Sequence, residues 1–228
     1  MELVTAGRKP ETSVTGSYGY AWKQLWKHFL YFFLVAVIAI IAESPASVFD
    51  EAGGFDSPAA IGLQFLAVAY ALLVLPVIKY GADLLYLRGV RDEKMEISEL
   101  FDGFRNNYLN IVLAHLLFIA IVGIGLIFLI IPGIILACRL AFIPYLVMDK
   151  NLEPVAAMEK SWELTRGHGW TVFGMAMLAI PVFIAGLLCF LVGAFIALMW
   201  IWASFAALYH ALDLEDRQRL DVDATPTG

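Results

Sequence analysis

The chain is a succession of long apolar runs from which ionisable side chains are almost excluded. Of its 15 lysines and arginines, only Lys79 and Arg139 fall inside a run. The whole is 61% hydrophobic and 16% charged, with a mean hydropathy of +0.78. A soluble domain is nearer half apolar and a quarter charged. A soluble core of 228 residues could not hide so much apolar surface, so a bilayer is the expected solvent for most of it. The expected fold class is an all-α integral membrane protein. One transmembrane helical domain is placed over residues 1–212, followed by an acidic, disordered tail over 213–228.

Breaks in the runs predict six transmembrane helices. They lie at Leu25–Ala42, Ala60–Leu87 (kinked at Pro76), Leu109–Ile131, Ile134–Met148, Trp170–Leu188 (with Pro181 inside) and Val192–Leu212. Pro132-Gly133 divides the third from the fourth. The last two have no polar loop between them. A tight turn near Cys189–Gly193 is inferred from length, because one uninterrupted helix would run about 60 Å, twice the hydrocarbon thickness. The first run follows Lys23 and Lys27 in the manner of a secretory signal. Pro45 spoils the one weak cleavage candidate, Ala42-Glu43-Ser44, so an uncleaved first helix is expected.

The net charge of -6 conceals a segregation of signs. Arg8, Lys9, Lys23 and Lys27 precede helix one; Arg88, Arg91, Lys94 and Arg105 lie between helices two and three. Lys150, Lys160 and Arg166 lie between four and five, and Arg217 and Arg219 follow six. The other connections carry no Lys or Arg, and the longest, Glu43 to Ser57, is acidic. The positive-inside rule then puts both termini and every basic connection in the cytoplasm.

Each of the three expected hairpins is introduced by a stretch rich in aromatic and basic residues, at Tyr18–Phe29, Ile97–Tyr108 and Val155–Arg166. In the second, Ile97, Phe101, Phe104 and Tyr108 share one helical face. These are expected to be cytoplasmic interfacial amphipathic helices, rings down and basic groups up, in a weak threefold repeat. Three ordinary aromatic flanks remain the alternative.

The stretch from Ile97 to Gly174 carries the Pro132-Gly133-Ile134-Ile135 break, the following Arg139, the run Glu153-Pro154-x-x-Ala157-Met158, and Ser161-Trp162-x-Leu164-Thr165-x-Gly167. In these it resembles the bacterial membrane proteins grouped with the YciC-like family and the glycerophosphoryl diester phosphodiesterase membrane domain. The resemblance covers about a third of the sequence, the rest matching by hydropathy alone. It implies a polytopic domain of the bacterial cytoplasmic (inner) membrane without established chemistry. In some relatives a similar domain is fused to a soluble phosphodiesterase. Only some sixteen residues follow helix six here, and that activity is not carried over.

Arg139 is the leading site candidate. A guanidinium in hydrocarbon must pair, snorkel or line a polar cavity. Pro144 cannot donate to the carbonyl of Leu140, which leaves an acceptor free nearby. Glu43 is the expected partner and Asp83 a more distant one. Three roles stay open: a structural lock, a ligand or lipid-phosphate site, and snorkelling without a role. Lys79 and Asp83 are four apart on helix two and are expected to form a local ion pair, or an ion relay with a partner such as His115. Lys27, Arg105 and Arg166, with Lys23, would attract anionic lipid, each by about 1 kcal/mol. Gly193-x-x-x-Ala197 and Ala203-x-x-x-Ala207 would let helix six pack closely, internally or against a second copy.

Cys138 and Cys189 lack Cys-x-x-Cys spacing and are expected to be buried, inert thiols. HExxH, G-x-S-x-G and P-loop patterns are missing, and His28, His115, His168 and His210 are dispersed. No cofactor or metal is therefore expected, and no basic groove suggests nucleic acid. The expected function is a non-catalytic scaffold, accessory subunit or lipid-interacting protein. Its expected partners are anionic lipids on the cytoplasmic side, and either another membrane protein or a second copy. The alternative is a small transporter or channel with a polar site around Arg139. An intramembrane enzyme acting on lipid is disfavoured, since no nucleophile–base pair falls at helical spacing.

Overall fold

A computed structural model describes residues 11–51 and 58–224. The Arg8-Lys9 preamble, residues 52–57 of the acidic connection and residues 225–228 of the tail lie outside them. Among the described residues all regular structure is helical.

Helix α1 (Val14–Lys27) opens with Ser13, whose hydroxyl accepts the Gly16 amide at 3.1 Å, the usual way of satisfying a free N-terminal donor. At His28 the chain turns through 99° into α2 (Phe29–Glu51). Next come α3 (Pro58–Leu73) and α4 (Leu75–Arg91). The break between them precedes Pro76, which lacks an amide hydrogen and crowds the backbone before it. Asp92 then stops α4 in the left-handed conformation (φ 62°), which short polar side chains tolerate.

A 3₁₀ turn (Ile97–Phe101) and the short α5 (Asp102–Asn106) lead into α6 (Tyr108–Phe128). The chain reverses at Leu129 into α7 (Ile130–Arg139), breaks, and resumes as α8 (Ile143–Asp149). Helix α9 (Pro154–Leu164) precedes α10 (Gly169–Leu188), and α11 (Phe190–Ala224) completes the bundle. The two hairpin tips close tightly on glycine. A side chain at Gly133 would meet the Leu126 amide at 2.7 Å, and one at Gly186 would meet the Gly193 carbonyl at 2.6 Å.

Helix α4 is the axis of the molecule. Val77, Leu85, Tyr86, Leu87 and Val90 are fully buried, with Phe32 of α2, Leu146 of α8 and Tyr209 of α11 around them. Tyrosine hydroxyls satisfy backbone carbonyls across helices: Tyr18 donates to Met175 at 3.2 Å, Tyr70 to Ala42 at 2.8 Å and Tyr86 to Phe32 at 3.3 Å. Such a bond keeps an aromatic body in apolar surroundings and its polar tip paired. In contrast, α3 and the α6–α7 and α10–α11 tips face outward, with Phe65, Ile127, Phe128, Leu188 and Phe190 all largely exposed. This pattern, apolar outside as well as inside, is that of a bundle solvated by lipid.

Five helical segments are long and apolar enough to cross a membrane: Ala60–Arg91, Tyr108–Phe128, Ile130–Asp149, Gly169–Leu188 and Val192–Val222. Counted as one broken span, the bent α1–α2 pair would bring the total to six. Three expectations need correction. The predicted fourth helix is two helices, parted at Leu140–Phe142 just ahead of Pro144. The stretch Ile97–Tyr108 is no continuous amphipathic helix but a 3₁₀ turn and a short helix interrupted at Asn107. The acidic segment from Asp213 does not begin a disordered tail: α11 continues to Ala224, and Asp213 is 1% exposed.

Candidate functional site

The basic segments converge on one end of the bundle, where, among the described residues, three charged assemblies form besides the pairs Arg88–Glu99 and Lys94–Glu96. The outermost is a clasp at the α1–α2 bend. Lys27 forms an ion pair with Asp92, and His28 Nε2 lies 2.8 Å from the other carboxylate oxygen. Hydrogen bonds from Lys27 and then His28 hold the Asp92 carboxyl below its ordinary range.

The second assembly lies deeper and joins α4, α8 and α11. Arg91 makes a fork on Asp149, with Nη1–Oδ1 at 2.6 Å and Nη2–Oδ2 at 2.9 Å. Its Nη2 also reaches Asp213 at 3.3 Å, and its Nε donates to His210 Nδ1 at 3.4 Å. The Tyr209 hydroxyl donates to Asp149 at 3.2 Å, while its ring lies 5.9 Å from the Arg91 guanidinium carbon. Asp213 gathers two more cations, Lys150 at 2.5 Å and Arg217 at 2.9 Å. Two carboxylates facing three cations, with the Arg–Asp pair bidentate, is an arrangement that can hold charge away from water.

The third assembly fastens α9 and the turn after it to the outer part of α11. Lys160 pairs with Asp216 at 2.8 Å and Glu163 at 3.0 Å; Glu215 holds Arg219 at 2.7 Å and faces His168 at 3.8 Å. Burial acts to lower the Lys160 ammonium, but its hydrogen bonds to Asp216 and Glu163 outweigh it and hold the group above its ordinary value. A cavity of about 310 Å³ opens beside this cluster, lined in part by Arg166, His168, Glu215 and Arg219.

Arg139 has a different setting from the one expected. It is the last residue of α7, a favourable place for a cation against the helix dipole. Its Nη1 donates to the Thr165 carbonyl at 2.7 Å, and the guanidinium lies 5.4 Å from the Trp162 ring. Across the α7–α8 break, the Ser161 hydroxyl donates to the Arg139 carbonyl at 2.8 Å and accepts the Phe142 amide at 3.3 Å. One side chain thus satisfies two backbone groups that the break sets free. Arg139 therefore belongs with the turn between α9 and α10, against Thr165 and Gly169, rather than deep in a helix.

Its expected partner Glu43 pairs instead with Lys79 at 2.7 Å. Among the described residues no ion pair joins Lys79 to Asp83 or Arg139 to a carboxylate. Glu43, Lys79 and Asp83 do share one small cavity of about 120 Å³, with Tyr86 and Trp202. Lys27 sits in the clasp, and Arg105 and Arg166 are exposed and separate. His115 stands edge-on to Tyr80, and among the described residues no ion pair joins it to a carboxylate. Of the two thiols, Cys138 is half-buried and Cys189 exposed at a hairpin tip, so the expectation of two buried cysteines does not hold. Among the described residues no group of three or more His, Cys, Asp or Glu could hold a metal ion.

The second assembly escaped sequence reasoning. Arg91, Asp149 and Asp213 each stand at the end of an apolar run, where a charge reads as a solvated flank. Their pairing spans 58 and 122 positions of sequence, beyond the reach of any local periodicity.

These features define a multi-pass helical membrane protein. No family model, curated protein or solved structure matches the chain.

Proposed function

We propose that this is a non-catalytic scaffold or accessory protein of a bacterial inner membrane, with both termini cytoplasmic and its charged end engaging anionic lipid headgroups. The observation that carries the reading is the 99° bend between α1 and α2. It turns an aromatic and basic helix away from an apolar one at the end where the basic segments meet. Trp22, Lys23, Trp26 and Lys27 are exposed there, a composition suited to the headgroup layer. The ion pairs behind it hold helices to one another, which suits a rigid platform better than a moving one. The contacts of Arg139 with Thr165, Ser161 and Trp162 likewise favour a structural lock over a permeation path.

The test is the lipid that purifies with the protein. From nanodiscs of mixed phosphatidylglycerol and phosphatidylcholine, detergent extraction should recover protein enriched in phosphatidylglycerol. Quenching of Trp22 and Trp26 by lipids brominated near the headgroup should exceed quenching by lipids brominated near the chain end. Co-purified lipid of bulk composition, with deep quenching, would overturn the reading.

A second reading, a small transporter or channel, has one observation in its favour, the cavity shared by Glu43, Lys79 and Asp83. Intramembrane ionisable groups commonly mark ion pathways. Flux in proteoliposomes that vanishes with Asp83→Asn would support it.

A further inference from the structure

A second cavity, of about 460 Å³, runs between α7 and α10. Its volume falls within the range of small-molecule sites. One wall is Ile131, Ile134, Ile135 and Cys138, whose spacing sets them on a single helical face. Trp170 and Phe173 form the other wall. Arg139 closes one end, with Gly169 beside it: a side-chain carbon there would still stand 3.8 Å from the guanidinium carbon. From Ile131 to Arg139 the groove measures about 12 Å along the helix. It opens outward, for Ile131 is 72% exposed and Trp170 84%.

The charge in this groove is incompletely answered. A guanidinium offers five N–H donors, of which one reaches the Thr165 carbonyl, and among the described residues no carboxylate pairs with Arg139. An apolar trough ending in an unneutralised cation is complementary to an amphiphile with one anionic head. We propose that one anionic phospholipid occupies it, phosphate on Arg139 and an acyl chain along Ile135, Ile134 and Ile131. The proposal rests on the reading that the charged end lies at headgroup level, and narrows that broad surface to one site. A protein helix would bring a row of side chains, whereas this trough offers a single charge at one extremity.

The test uses the full chain in nanodiscs of phosphatidylglycerol and phosphatidylcholine, followed by native mass spectrometry. Wild type should retain one phosphatidylglycerol. Arg139→Gln keeps a donor for the Thr165 carbonyl but removes the charge; Ile135→Trp fills the trough and leaves Arg139 in place. Arg139→Gln should lower retention by about tenfold, the loss of one charge-assisted hydrogen bond, and Ile135→Trp should lower it by excluding the acyl chain from the trough. As a second readout, alkylation of Cys138 should be slower in phosphatidylglycerol than in phosphatidylcholine, and this difference should vanish in Ile135→Trp. General phosphatidylglycerol enrichment that neither folded variant alters would overturn the groove and leave the broader reading standing. Absence of any enrichment in wild type would overturn both. A change of oligomeric state in Ile135→Trp with unchanged lipid retention would assign the trough to a second copy and overturn the proposal.

Discussion

Asp213 is the residue on which most charge converges. It is 1% exposed and meets Arg91, Lys150 and Arg217. Breaking a buried ion pair by neutralising one partner typically costs about 3 kcal/mol, because the remaining charges keep their desolvation penalty without its compensation. Asp213→Asn should therefore lower the unfolding free energy in detergent by about that much. Asp216→Asn, which removes a carboxylate 17% exposed against 1% for Asp213, should cost well under half as much. Equal effects of the two substitutions would show that the inner assembly is no more than a surface ion pair. Ser161 makes a smaller point of the same kind. Ser161→Ala leaves the Phe142 amide without its partner and the Arg139 carbonyl with only the longer bond from the Thr165 hydroxyl, at 3.3 Å, a loss of about 1–3 kcal/mol. A change within the error of a thermal melt would mean that the α7–α8 break is held by other contacts.

At the scale of elements, the bend between α1 and α2 depends on a carboxylate. Asp92 is held below its ordinary pKa by Lys27 and His28, so the folded state favours its ionised form. Its contribution is fully present above the unfolded value, near 4, and is lost as pH falls through the lowered folded value. The side chain is 46% exposed, and solvent screening keeps the effect modest. Trp22 and Trp26 fluorescence should hold steady from neutral pH to about 4 and change below it. Asp92→Asn should show that signal already changed at neutral pH and no acid transition. An acid transition that survives in Asp92→Asn would place the sensitive group elsewhere.

Much of the element pattern was legible because hydrocarbon length and proline chemistry act locally. The break before Pro76 and the turn at Cys189 are written in the residues beside them; the break expected at Pro132-Gly133 falls three residues earlier, at Leu129, and Pro132 and Gly133 lie in the first turn of α7. What the periodicity missed has a common cause. The continuation of α11 past Leu212 depends on partners far away in sequence: Arg91 and Lys150 for Asp213, and Lys160 for Asp216. An acidic stretch without those partners does read as a solvated tail. Glu43 was likewise assigned to the wrong cation, because Lys79 and Arg139 are equal candidates until the packing of α2 on α4 is known. Arg139 was legible as unusual but not in its partner, because the Thr165 carbonyl it holds is a backbone group with no signature in sequence.

At the scale of the whole molecule, the outward faces and the charged end together set an orientation that labelling can read. The exposed Cys189 sits at the α10–α11 tip, 24 residues of α11 away from Asp213 in the charged cluster. In proteoliposomes of known orientation, a Glu93→Cys variant lacking the native thiols should react with an impermeant maleimide only from the side of the termini. Native Cys189, in a protein with Cys138→Ala, should not react from that side. Reaction of both positions from one compartment would overturn the proposed topology.

Helix α11 runs without interruption from Phe190 to Ala224, 35 residues and about 52 Å of rod. The cations around Asp213 grip it partway along its length. A force applied to its outer stub has no hinge in which to dissipate. It must either be transmitted as a tilt to the glycine-closed tip at the opposite extremity, or pull Asp213 out of the grasp of Arg91.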